Sequence, residues 1–244
     1  MKRNLLIITL ILGTALVFLP SCDNSGYSLN KFRVDIATVT PVGQNSYSLL
    51  LDNGKSLWSA ASDVRYVPRE NQRVFVNYTL LSDAYGDFDH LIRVNDIWNI
   101  LTKQAIELTA ANADGIGNDP IRVNQMWAGG DFLNISFMFN WGGTRPHMLN
   151  LVNNTTVEHP ESDVINLEFR HNAYGSTATR AWEGFVCFDL RPFQIEGQNE
   201  VKFAIKVNEP SGERTVEVIY RYNRTVSEVI ADMPIPVITS NEYY

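Results

Sequence analysis

From Phe32 onward the chain runs as short segments in which apolar and polar residues alternate with a period of two, a spacing that suits half-buried strands and not amphipathic helices. In the first segment Phe32, Val34 and Ile36 stand against Arg33 and Asp35, and near the end Phe203, Ile205 and Val207 stand against Lys202 and Lys206. The breaks between segments are clusters of Gly, Pro, Asn and Asp. Asp52-Asn53-Gly54, between runs 47–51 and 55–58, is a hairpin signal because an Asn-Gly pair tolerates positive φ. Further strands are expected over 73–81, 90–98 and 105–108. Small turn formers from Thr109 to Pro120 then interrupt the pattern, and the domain boundary is placed there. Residues 32–112 therefore predict a small OB-like β-barrel. Runs 121–127, 132–139, 147–152, 164–170, 182–190, 201–207 and 215–222 predict an antiparallel β-sandwich over 113–244, with one short helix at 225–232. The class is all-β, in two domains expected to fold separately.

The amino terminus follows other rules. Lys2 and Arg3 precede an apolar run from Leu5 to Leu19 broken by Thr9, Gly13 and Thr14, the layout of a secretory signal peptide over residues 1–21. At about 15 residues the run falls short of the ~20 that a membrane-spanning helix needs. Leu19-Pro20-Ser21-Cys22 resembles the lipobox of bacterial lipoproteins, whose cysteine thiol is acylated, whose signal is cut, and whose new amino terminus is acylated in turn. Cys22 is thus the expected lipidation site. Each buried methylene contributes about 0.8 kcal/mol, so several acyl chains hold a protein at a membrane essentially permanently. Residues 22–31 carry turn formers and read as a tether, and an extended stretch from Cys22 to Phe32 reaches at most ~35 Å.

The formal charge is −7, and losing Lys2 and Arg3 with the leader makes the body more acidic still. Nucleic-acid binding leans on Lys and Arg at phosphates, so nucleic acid is not an expected partner. Cys187 is the single cysteine besides Cys22, so acylation leaves the body without a disulfide and its stability must come from packing. Within Phe185-Val186-Cys187-Phe188 that thiol is expected to be buried and inert.

No nucleophile elbow, Walker loop, His-Glu-x-x-His or Cys-x-x-Cys pattern occurs, and no cofactor is expected. Asp83, Asp87, Asp89 and His90 could hold a hard cation or supply acid and base groups, but a polar hairpin loop explains them more simply. Asp114 and Asp119 read as parts of an interdomain turn. His147, His159 and His171 lack the spacing of a zinc site, and no metal is expected. Trp58, Trp98, Trp127 and Trp182 are expected in cores, whereas Trp141, beside Gly142-Gly143, is expected on the surface. The alternation of run 164–170 points Ile165, Leu167 and Phe169 one way and Glu168 and Arg170 the other. Arg170 and Asn172 are then expected to tie the Ala173-Tyr174-Gly175 turn to a neighbouring strand, and His171 is read as structural because no nucleophile or orienting acid adjoins it. With His147 and Trp141 these residues are the candidates for an interaction or structural site.

A family resemblance spans the body in order. It rests on the lipobox; Arg73-Val74-Phe75-Val76-Asn77-Tyr78; Ile100-Leu101-Thr102-Lys103; Asp131-Phe132-Leu133-Asn134-Ile135; His147-Met148-Leu149-Asn150-Leu151; Phe169-Arg170-His171-Asn172; and Phe185-Val186-Cys187-Phe188-Asp189-Leu190. In these the chain resembles the NigD-like lipoproteins of Gram-negative anaerobes, which pair an amino-terminal OB-like domain with a carboxy-terminal β-sandwich. The resemblance implies a non-enzymatic protein lipid-anchored in the cell envelope, at the outer membrane, whose partner is an envelope protein, with bacteriocin immunity or self-protection as the most specific form. It implies no established reaction and no catalytic residues. The alternatives are a surface glycan- or ligand-binding accessory module and, third, a hydrolase.

Overall fold

Five strands close a barrel. In the computed structural model, which describes residues 31–143, 145–154 and 164–222, they are β1 (Phe32–Pro41), β2 (Tyr47–Leu51), β3 (Ser56–Ser62), β4 (Arg73–Tyr85) and β5 (Phe88–Asn99), joined in the order β1-β2-β3-β5-β4. All their pairings are antiparallel except β3 with β5. The Asn-Gly signal makes the β2–β3 turn as expected: Gly54 takes φ 80°, and Asn53 Oδ1 accepts the Lys55 N–H at 3.0 Å. Alternation supplies the core, with Ala37 and Val39 of β1 packed on Leu49, Leu57, Val74 and Val94. The acidic 83–90 run is the tip of the β4–β5 hairpin, where Tyr85 pairs with Phe88 and Gly86 turns at φ 59°.

The second body is a two-layer sandwich. Its strands are β6 (Leu101–Gln104), β7 (Ile106–Glu107), β8 (Arg122–Gly129), β9 (Phe132–Trp141), β10 (Met148–Asn153), β11 (Val164–Asn172), β12 (Arg180–Asp189), β13 (Glu200–Glu209) and β14 (Gly212–Arg221). One sheet runs β14-β13-β11-β10-β7 and the other β6-β12-β9-β8, with Leu133, Ile135, Phe137, Phe169, Val186, Phe188, Phe203 and Ile205 among the side chains buried between them. The sandwich is mixed, not wholly antiparallel: β11 pairs in parallel with β13, β6 with β12 and β7 with β10. Among the described residues no helix is long and apolar enough to cross a membrane. The leader, Cys22, the tether, His159 and the helix expected at 225–232 lie outside the described residues.

The joint between the bodies differs from the expected one. Residues 101–107, read as the end of the barrel, pair into both sheets of the sandwich, so the chain changes domain just after Ile100. Turn-forming composition at 109–120 marks a corner of the sandwich instead. There α1 (Ala113–Ile116) makes a single turn, and Ile116 packs with Leu108 and Val152. Composition locates a chain reversal, while domain membership is decided by which edge the following strand pairs with.

A buried charge fastens barrel to sandwich. Arg73 of β4 is 0% exposed and grips Asp52 with both arms of its guanidinium, Nη1 to Oδ1 at 2.7 Å and Nη2 to Oδ2 at 2.8 Å. Nη2 also donates to Asn134 Oδ1 of β9 at 3.1 Å, and Asn134 Nδ2 donates back to Asp52 Oδ2 at 3.1 Å. The Cys187 thiol donates to Asn134 Oδ1, and burial pushes its pKa up to about 12, so the proton stays on sulfur. The Arg73 guanidinium lies 4.9 Å from the Phe132 ring centroid. Gly129 is required here, since a Cβ would stand 2.2 Å from Asp52 Oδ2. Around this network Ile100, Phe132 and Cys187 form an apolar seam with Ile36 and Phe75 of the barrel.

Candidate interaction surface at the open end of the sandwich

Moving along β9, the face that packs the core passes from buried Leu133, Ile135 and Phe137 to half-buried Phe139 and then to Trp141, 54% exposed. β12 runs antiparallel beside it and does the same, from buried Phe188 and Val186 to Trp182, 47% exposed, and exposed Arg180. The register places Trp182 opposite Phe139 and Arg180 opposite Trp141. Alternation puts all four on one face, and the strands carry that face past the core. Gly184 makes room for it, because a Cβ there would lie 2.5 Å from the Phe137 ring.

The exposed end is an ordered aromatic surface. The Trp141 and Trp182 rings are 6.0 Å apart and tilted by 39°. The Arg180 guanidinium sits 5.3 Å from the Trp182 ring centroid, and that of Arg145 sits 3.7 Å from the Tyr174 ring. Such stacking holds a cation in place while leaving its N–H donors outward. Neither arginine has a carboxylate partner among the described residues. The two loops beneath are knitted together: Ser176 Oγ donates to Gly142 O at 3.2 Å, and a Cβ on Gly142, at φ 141°, would meet Ala178 at 2.8 Å.

Beneath the aromatics lies a histidine pair that sequence spacing does not reveal. His147 Nδ1 and His171 Nε2 are 2.9 Å apart, and the His147 ring packs 5.2 Å from that of Phe139. One imidazole donates and the other accepts, which requires at least one neutral ring. Burial, and then the neighbouring His147, hold the His171 pKa below its usual value of 6.5. Among the described residues no group of three or more His, Cys, Asp or Glu could hold a metal ion.

The remaining candidates divide. Asn172 Oδ1 accepts the Tyr174 N–H at 2.8 Å, and its Nδ2 donates to Gly115 O at 2.9 Å, so it ties the Ala173-Tyr174-Gly175 turn to α1. Asp119 Oδ2 accepts the Ala173 N–H at 2.7 Å, which pins the turn a second time. Arg170 does not tie the turn as expected; it pairs with Glu168 two residues back on its own strand, Nη2 to Oε2 at 2.6 Å, because i and i+2 share a face. Trp182 and Trp98, both expected in cores, are each 47% exposed; both lie near strand ends. Periodicity assigns Trp182 its correct face but carries no information on where the opposing sheet stops.

The barrel has a concavity of its own, about 330 Å³, lined by Arg33, Asp35, Lys55, Tyr78 and His90. Tyr78 donates to Asp35 Oδ2 there at 2.7 Å, and burial raises the Asp35 pKa.

Comparison with known proteins matches the same two bodies. The NigD-like N-terminal OB domain matches residues 36–100, and the NigD-like C-terminal β-sandwich domain matches residues 104–220. Among solved structures, a toxin-related protein from Parabacteroides distasonis is 35% identical, covers 84% of this chain and 100% of its own, and has a TM-score of 0.70. A protein of unknown function from Bacteroides vulgatus is 31% identical over 80% of this chain and 92% of its own, at TM-score 0.69. A NigD-like immunity protein from Bacteroides caccae shares the fold at 20% identity and TM-score 0.60, over 78% of this chain and 93% of its own. Among curated proteins none matches. The family boundary between 100 and 104 falls where the strands change partners, and the chain belongs to the NigD-like family.

Proposed function

We propose that this is a lipoprotein anchored through Cys22 in the envelope of a Gram-negative bacterium, at the outer membrane, and that it works by holding a partner protein and not by turning over a substrate. Bacteriocin immunity or self-protection is its most specific form. The observation that carries this reading is the open end of the sandwich, where Trp141 and Trp182 stand exposed and two arginines are held on aromatic rings with no carboxylate partner among the described residues. Aromatic and arginine side chains dominate the energetics of protein contacts. The anchor rests on the lipobox, and the immunity sense on the names of two related structures, one NigD-like immunity and one toxin-related. The one thiol of the described body, buried on Asn134, is protonated and so no nucleophile.

The test is genetic. Deleting the gene and challenging the strain with bacteriocins of its own species should raise sensitivity to at least one, and wild type should restore protection where Cys22→Ala and the Trp141→Ala, Trp182→Ala double variant do not. Unchanged sensitivity to all of them would contradict the immunity reading. A second reading, a surface glycan-binding accessory module, is favoured by the tilted Trp141–Trp182 pair itself, because indole faces stack on sugar rings.

A further inference from the structure

This inference rests on the glycan reading and deepens it: we infer that Trp141 and Trp182, with Arg180 over the Trp182 ring and Arg145 in the loop that follows β9, form a subsite for an acidic saccharide. The sugar rings stack on the indoles, and a carboxylate or sulfate on the sugar meets a guanidinium.

Two independent features meet here. The first is shape. The two exposed indoles are 6.0 Å apart, a spacing comparable to that of neighbouring rings in an oligosaccharide. A pyranose offers an apolar face of C–H groups to an aromatic ring, and its hydroxyls stay in water, so an open surface suffices and no deep pocket is needed. Beneath the surface Ser176 Oγ donates to Gly142 O at 3.2 Å, which joins the loop after β9 to the one before β12.

The second feature is charge. In a chain of formal charge −7, this end carries two arginines that no carboxylate neutralises among the described residues. Arg73, Arg93, Arg170, Arg191, Arg214 and Arg221 meet acids, whereas Arg180, like Arg33, Arg65, Arg69 and Arg122, has no ion pair among the described residues; what sets Arg180 apart is its place over the Trp182 ring. Arg180 lies opposite Trp141 across the β9–β12 ladder and over the Trp182 ring, so an anion on a stacked sugar falls within reach of its fork. A neutral glycan would leave those donors to water. An acidic one completes the arrangement.

The test uses the full-length protein in detergent on an array of carboxylated, sulfated and neutral oligosaccharides, with polyglutamate as a peptide control. Binding confined to carboxylated or sulfated sugars is expected, and which of the two binds identifies the anion. On a hit, Trp141→Ala with Trp182→Ala should abolish binding. Arg180→Ala should weaken it at least about tenfold, as losing a charge-assisted contact does, and should flatten its salt dependence. Lys202→Ala, on another strand, should leave it unchanged. Equal binding of neutral sugars would overturn the acidic specificity while the glycan reading stands. Binding of no sugar would overturn both, and polyglutamate bound as tightly as any sugar would reassign the arginines to an acidic protein segment.

Discussion

Strand β9 carries Asn134 into the joint with the barrel and Trp141 to the open end of the sandwich, and the two places treat arginine in opposite ways. At the joint Arg73 is wholly buried, bidentate on Asp52 and bonded to Asn134. At the open end Arg180 and Arg145 lie on aromatic rings with no acid beside them among the described residues. Ten residues at ~3.4 Å each separate the ends of that strand by roughly 30 Å, so one strand links a buried joint to an exposed aromatic end. A buried ion pair contributes modest net stability, but it is costly to break because the survivor is left charged and dry. The joint therefore fixes geometry, whereas the open end leaves its guanidinium groups on aromatic rings without an acid partner among the described residues.

That contrast is broken most severely at Asp52. Asp52→Ala strands the buried Arg73 guanidinium and is expected to cost about 3–5 kcal/mol, read as a fall of roughly 10 °C in calorimetric melting temperature. Gly129→Ala comes next: its Cβ would push into Asp52 Oδ2, and about 2–3 kcal/mol should be lost in urea unfolding.

The histidine pair beneath the aromatics sharpens the comparison through pH. His171 has its pKa lowered in the folded protein, so the unfolded chain binds more protons just below 6.5 and stability falls as pH drops through that value. His171→Gln should flatten the melting-temperature profile between about pH 6.5 and 5, where an unflattened profile would deny the pair that role. Glu168 and Asp189, both lowered by their arginine and amide partners, contribute stability that is lost only at more acid pH, below the usual carboxylate values of 4.5 and 3.8. The smallest effect belongs to the open end. Trp141→Ala with Trp182→Ala should change unfolding free energy by no more than about 0.5 kcal/mol per site, since both side chains are half exposed. A larger loss would mean these rings serve the core.

Much of this was legible in the sequence, and the rest was not for identifiable reasons. Asn53-Gly54 announces its hairpin, and alternation places Ile165, Leu167 and Phe169 against Glu168 and Arg170, because both are local properties of the chain. Exposure of Trp141 beside Gly142-Gly143 is local too. The partners of 101–107 are not, since Leu101 pairs with Val186 and Ile106 with Val152, and no periodicity records a bond across such a separation. Arg73 opens a run of strong strand formers, and nothing around it tells that its partners are Asp52 and Asn134. His147 and His171 meet because β10 pairs with β11 in a register that sets Leu149 opposite His171. Distant pairing made the joint and the histidine pair, and local pattern made the strands.

The expectation of separately folding domains and the buried joint now make opposite forecasts for one experiment, the calorimetric unfolding of the intact chain. If Arg73, Asp52 and Asn134 bind barrel and sandwich into one unit, a single transition is expected whose van't Hoff and calorimetric enthalpies agree. Two resolved transitions in the wild-type protein would contradict it.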